Sequence, residues 1–231
     1  MNYQLRNLYP DNFYINALEI LESASQKDYP PLYHRMSVKA VRGFYGIKRC
    51  NRPNPYRLVY LEPGSVSLVQ TGGTEDHYTS RGRFNKHEPG LRGGKWHEQT
   101  MRLENSQLYT GLRQRFKEGL NWEDTALHPD RYEATHRNLP LRYEEYSLEE
   151  FLERGEYIDR LYQSIRDYGY RNYVERRDSF WDELAINIGP GGELIRNSSG
   201  LHRLIISKMV GVEEIPVRVL VVHPRFIESR L

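Results

Sequence analysis

The sequence predicts an α+β fold, and three stretches of the 231-residue chain carry that expectation. Leu184-Ala-Ile-Asn-Ile188 and Glu193-Leu-Ile-Arg196 flank the turn Gly189-Pro-Gly-Gly192, which is the pattern of a β-hairpin. Ile215-Pro-Val-Arg-Val-Leu-Val-Val222 is the most β-prone run, and its near-continuous apolar character fits a strand covered on both faces. Ile158, Leu161, Tyr162 and Ile165 recur at i, i+3, i+4 and i+7, the face of an amphipathic helix. These stretches place strands and helices together over residues 133–231. A loop-rich extension is expected over residues 1–132.

The elements follow in order. Phe13, Tyr14, Ala17, Leu18 and Leu21 have helical spacing, and Pro30-Pro31 stops that helix. Residues 32–47 hold a short helix or strand around Val38, Val41, Phe44 and Tyr45. Arg57–Leu61 reads as a strand ended by Pro63-Gly64, and Ser65–Val69 as a second. Residues 71–95, rich in Gly, His and Arg, form the longest expected loop. Leu108, Leu112 and Phe116 share a helical face that Gly119 ends. Ser147-Leu-Glu-Glu150 has capping-box form and opens a short helix, followed by a second over 156–168 with Gly169 beyond its end. Leu201, Leu204, Ile205 and Met209 make one face of a helix that stops at Gly211. Pro216 places the start of the last strand at a sheet edge or before pairing begins.

Bulk properties exclude several classes. Charged residues make up 28% and mean hydropathy is −0.77, with no run of the roughly eighteen apolar residues a membrane span needs. Met1–Pro10 lacks a basic-then-apolar leader pattern, so a cytoplasmic protein with no membrane partner is expected. The lone Cys50 rules out an internal disulfide framework and a Cys-based zinc site. A net charge of +2 does not by itself imply nucleic acid. The charge is uneven, however. Residues 34–57 carry His34, Arg35, Lys39, Arg42, Lys48, Arg49, Arg52 and Arg57 with no Asp or Glu, and 81–95 are also basic. Either solvated faces or a polyanion patch accounts for them.

The densest functional signal is Asn197-Ser-Ser-Gly-Leu-His-Arg-Leu204. A polar turn ending in Gly opens directly into a helix. Free backbone N–H groups and the positive dipole end would meet a ligand there, as phosphate sites require. His202 and Arg203 lie off the apolar stripe, in the first turn, where a cation opposes the helix dipole by roughly 0.3–1 kcal/mol unless an anion is bound. Ser198 and Ser199 offer hydroxyls, Ser199 can cap the helix, and Gly200 and Leu201 offer close backbone approach. Arg203 grips phosphate bidentately, with His202 donating one bond. These two are the candidate catalytic residues. His77, His87, His97 and Glu98 match no strong zinc spacing, so no metal site is expected. Trp96 and Trp122 read as packing anchors.

The order of helix, hairpin, polar Gly turn, His-Arg helix and buried strand resembles the ParB/sulfiredoxin superfamily, which implies a small mixed sheet with flanking helices over residues 133–231. Ser199-Gly-Leu-His-Arg203 is similar to its (Asp/Gly)-Gly-x-His-Arg turn, and Ile215–Val219 to the strand that follows. Gly93-Gly-Lys-Trp96, Arg115–Thr125, Asp159-Arg-Leu-Tyr162 and Gly169-Tyr170 carry a narrower likeness to an archaeal and viral set with a ParB-like C-terminal part. The resemblance implies nucleotide binding at residues 198–203, with ATP, ADP or CTP and Mg²⁺, by a phosphotransferase or nucleotide hydrolase. The alternatives are a DNA-binding ParB-like protein using residues 34–57 and 81–95, and a non-catalytic interaction module on the same fold. Ser199 stands where the family often has Asp, and the turn Gly189–Gly192 lacks the usual basic–acidic pair. Glu144, Glu145 and Glu149 are the nearest candidates for the family's early acidic position, and Asn187 and Arg196 for extra ligand contacts.

Overall fold

The structure, a computed structural model, describes residues 58–71, 90–132 and 143–228. The helices expected before residue 50, Cys50, the basic segment 34–57, residues 81–89, His77 and His87 lie outside the described residues.

The described residues form an α+β fold around one open mixed sheet. Its strands are β1 (Leu58–Leu61), β2 (Leu68–Gln70), β3 (Gly90–Leu91), β4 (Thr100–Arg102), β5 (Leu184–Ile188), β6 (Leu194–Ser198) and β7 (Ile215–Val222). The helices are α1 (Gln107–Arg113), α2 (Leu148–Tyr168), α3 (Tyr173–Arg176), α4 (Leu201–Val210) and α5 (Pro224–Glu228). The order across the sheet is β1-β7-β5-β6-β2-β4, with β3 also paired to β7. β7 runs parallel to β5 and to β3 and antiparallel to β1; β6 is antiparallel to β5 and parallel to β2. β1 to β4, which precede residue 133, and β5 to β7, which follow it, belong to this one sheet.

All eight residues of β7 are buried, as their apolar run requires of a strand covered on both faces. Ile215, Val217, Val219 and Val222 join the main core with Leu184, Ile186 and Ile188 of β5, Leu204 and Ile205 of α4, and Phe151 and Ile158 of α2. Leu220 and Val221 face the other side, with Ala185, Ile195 and Trp96. Pro216 has no N–H to give, and the β5 ladder accordingly begins one residue later, at Leu184↔Val217.

Helix α2 is capped by Ser147 and Glu150, which exchange side-chain bonds with each other's backbone N–H at 3.2 and 2.8 Å. The two helices expected here are one, running unbroken through Gly155. That glycine costs helix propensity but lets Trp122 lie against the helix: a Cβ there would stand 2.7 Å from Trp122 Cδ1. Two of the segments singled out in the sequence meet at this point. Arg115 grips Asp159 bidentately at 3.0 and 2.7 Å, Trp122 Nε1 donates to the same carboxylate at 3.1 Å, and Phe116 stacks on Tyr162 with centroids 4.0 Å apart. α1 continues into a wider turn at Gln114–Glu118 and ends at Gly119, with φ +76. No helix among the described residues is long and apolar enough to cross a membrane.

Other differences from expectation have local causes. Pro63–Ser65 makes a 3₁₀ turn, so the second strand starts at Leu68 rather than Ser65. Within the expected loop 71–95, Gly90–Leu91 pairs with β7, and just beyond it Trp96 is held by Nε1 donating to Arg92 O (2.9 Å) and by its own carbonyl accepting from Gln70 (2.8 Å). Trp96 and Trp122 are buried packing anchors, as expected.

Two substitutions test the packing. Gly155→Ala should lower the melting temperature despite Ala's better helix propensity, because overpacking against a buried indole costs about 1–3 kcal/mol and the propensity gain is about 1. Ser207 is fully buried in α4, and among the described residues its Oγ has no hydrogen-bond partner. Ser207→Ala should therefore raise stability by about 1 kcal/mol in chemical denaturation.

Candidate anion site at the start of helix α4

The turn before α4 has an unusual backbone. Ser199 and Gly200 are both left-handed, with φ 57 and φ 59. Gly200 suits this conformation, and its Cα also lies close under Leu184, where a Cβ would come within 3.2 Å of the Leu184 Cβ. For Ser199 the conformation is costly and must be held from outside. Its Oγ donates to Trp181 O at 3.1 Å, and its carbonyl accepts from Arg196 Nε and Nη2 at 3.3 and 3.2 Å. The helix cap is thus Gly200, and no side chain caps the helix start. The expectation that Ser199 caps α4 is corrected: its hydroxyl turns back to Trp181. Ser198 Oγ is likewise engaged, accepting from Asn197 Nδ2 at 3.2 Å.

His202 also departs from its expected role. It is half-buried, and its Nε2 lies 2.8 Å from the Tyr143 hydroxyl. Burial first, then the charges of Arg154, Arg196 and Arg203, push its pKa down to about 3. The imidazole is therefore neutral at physiological pH and is not the cationic donor expected from sequence. Burial also raises the Tyr143 phenol well above its usual range. The charge of Arg154 pulls that phenol back the other way, but burial outweighs it. The charges of three arginines, from α2, β6 and α4, thus act on His202, in the first turn of a helix whose start no side chain caps.

Arg203 remains beside the turn, its Nη2 lying 3.4 Å from where a Gly200 Cβ would be. The guanidinium is committed, however. It donates to the Asp182 carbonyl, lies 3.8 Å from the Asp178 carboxylate and rests 5.7 Å from the Tyr170 ring centroid. Leu201 is buried in the main core and contributes only backbone.

Arg196 joins the site, but Asn187 does not. Arg196 pairs with Ile186, which faces the main core, whereas Asn187 pairs with Ile195 on the Trp96 side and donates to Asn197 Oδ1 at 3.2 Å. Glu144, Glu145 and Glu149 are exposed. His97 packs edge-on against His223 at 5.3 Å, and among the described residues no three His, Cys, Asp or Glu side chains converge. Sequence reasoning missed Tyr143, Arg154, Tyr170 and Asp178, none of which has a spacing that links it to the turn.

No family model, curated protein or solved structure matches the chain.

The neutral His202 gives a pH signature. Its folded pKa is below the unfolded value near 6.5, so the unfolded state binds the extra proton between those values. Stability from this group is complete above about pH 6.5 and is lost as pH falls toward 3, by at most about 1.4 kcal/mol per pH unit. His202→Gln should flatten the melting temperature against pH over that window relative to wild type.

Proposed function

We propose that this chain binds the phosphates of a nucleotide at the start of α4, as a ParB/sulfiredoxin-type module. One observation carries the reading: Arg196 bonds the Ser199 carbonyl and Arg203 lies beside Gly200, at a helix start that no side chain caps, and the charge of Arg154 also reaches His202 in its first turn. An anion there would complement the dipole and offset the mutual repulsion of the guanidiniums. Arg154 and Arg196 supply standing positive charge. His202, neutral and bonded to Tyr143, orients the first turn instead of donating charge.

The narrower reading is a phosphotransferase or nucleotide hydrolase in which positioning and charge neutralisation supply the rate. The side chains nearest the helix start are guanidiniums, an imidazole and a phenol, and the part-exposed carboxylate beside them, Asp178, is taken up by Arg176 and Arg203. Mg²⁺ would therefore arrive on the nucleotide, and no step is routed through it. A second reading, a non-catalytic interaction module, is favoured by the internal bonds that hold Arg203 and by Ser199 in place of Asp.

Isothermal titration with ATP, ADP and CTP, with and without Mg²⁺, separates the two. Binding below millimolar concentration, weakened about tenfold by Arg154→Gln, supports the phosphate site. No heat and no change in melting temperature at millimolar nucleotide rejects it and leaves the interaction module.

A further inference from the structure

The partners that hold Arg203 form a second motif beside the turn. Arg176 Nε reaches Asp178 Oδ2 at 2.8 Å, and Arg203 Nη1 lies 3.8 Å from the same oxygen. Both guanidiniums also lie 5.7 Å from the Tyr170 ring centroid. Two arginines thus converge on one carboxylate oxygen over one aromatic ring.

The two sides of this cluster differ. The inner side is fixed. Arg176 Nη2 is 2.9 Å from Glu183 Oε1, the Glu183 side chain is wholly buried, and Tyr170 donates its hydroxyl to the other Glu183 oxygen at 3.1 Å. The Asp182 carbonyl anchors Arg203 from the same side. The outer side is Asp178, whose side chain is 47% exposed, against 14% and 13% for the two arginines. It follows Arg177, a non-glycine residue at φ 59, on the turn that ends α3. Within the cluster, two cations balance two carboxylates. With Asp178 turned out to solvent, one positive charge is left over, adjacent to Gly200.

We propose that Asp178 is an internal stand-in for the ligand: it fills the Arg176–Arg203 clamp until a phosphoryl group displaces it. The inference rests on the reading of the α4 start as a phosphate site and assigns that site a built-in competitor. The clamp suits a terminal phosphate, which carries more charge and more acceptor oxygens than the carboxylate it replaces. Asp178 is the member that can leave, because its half-exposed carboxylate regains water as it swings out. The buried Glu183 cannot.

The test is isothermal titration of ADP and of inorganic pyrophosphate into wild type, Asp178→Asn and the double variant Asp178→Asn/Arg203→Gln. Asp178→Asn is expected to tighten binding about two- to fivefold, and Arg203→Gln to abolish that gain. A gain with both ligands assigns the clamp to the phosphate chain itself, and a gain with ADP alone to a nucleotide. Wild-type binding that Asp178→Asn leaves unchanged or weakens overturns the clamp while the α4 site stands. Absence of binding by every protein overturns both. Asp178→Ser replaces Asp178→Asn if circular dichroism shows that the latter is unfolded.

Discussion

Strand β7 is the member on which the described fold depends. Eight consecutive buried residues hydrogen-bond to β5 along one edge and to β1 and β3 along the other. Its side chains feed both cores, the larger under the helices and the smaller around Trp96. Such a strand leaves little freedom to its neighbours: a slip of one residue would exchange the two cores. It also carries Arg218 fully buried, with Nη2 donating to Trp181 O at 3.3 Å and the guanidinium over both Phe180 and Trp181.

That arginine links the sheet to the candidate site. The carbonyl of Trp181 accepts from Arg218 on β7 and from Ser199 in the turn, and the next carbonyl, of Asp182, accepts from Arg203 on α4. A short run of backbone before β5 therefore sets the position of the turn, the helix start and the guanidinium together. The left-handed Ser199 is tolerable because of it, since both its hydroxyl and its carbonyl are occupied. The site is built from fixed backbone and enclosed arginines, with Asp178 as its outward-facing member.

Much of the C-terminal architecture was legible because it is local. β5, β7, α4, the Ser147 capping box and the stop at Gly169 all announce themselves through periodicity and punctuation within a few residues. What was not legible is pairing at a distance. Nothing in Leu68–Gln70 marks it as a parallel partner of β6, and nothing near Gly155 says that Trp122 will occupy the space of a missing side chain. The candidate site divides in the same way. The turn and its helix are written in one stretch, but the charge state of His202 is decided by burial and by the charges of Arg154, Arg196 and Arg203, the first two of which come from other elements. A motif specifies where an imidazole stands; only the assembled surroundings specify whether it holds a proton.

The sheet order has a consequence for how the chain reaches this state. β2 and β4 can pair soon after synthesis, but among the described residues β1 and β3 find their partner only in β7, near residue 220, and β2 finds its second partner only in β6. Loops of more than a hundred residues must close before these ladders exist, which slows folding. During translation the early strands thus wait with open edges until the last strand leaves the ribosome, and truncation before β7 would strand them in a form prone to pair with other chains.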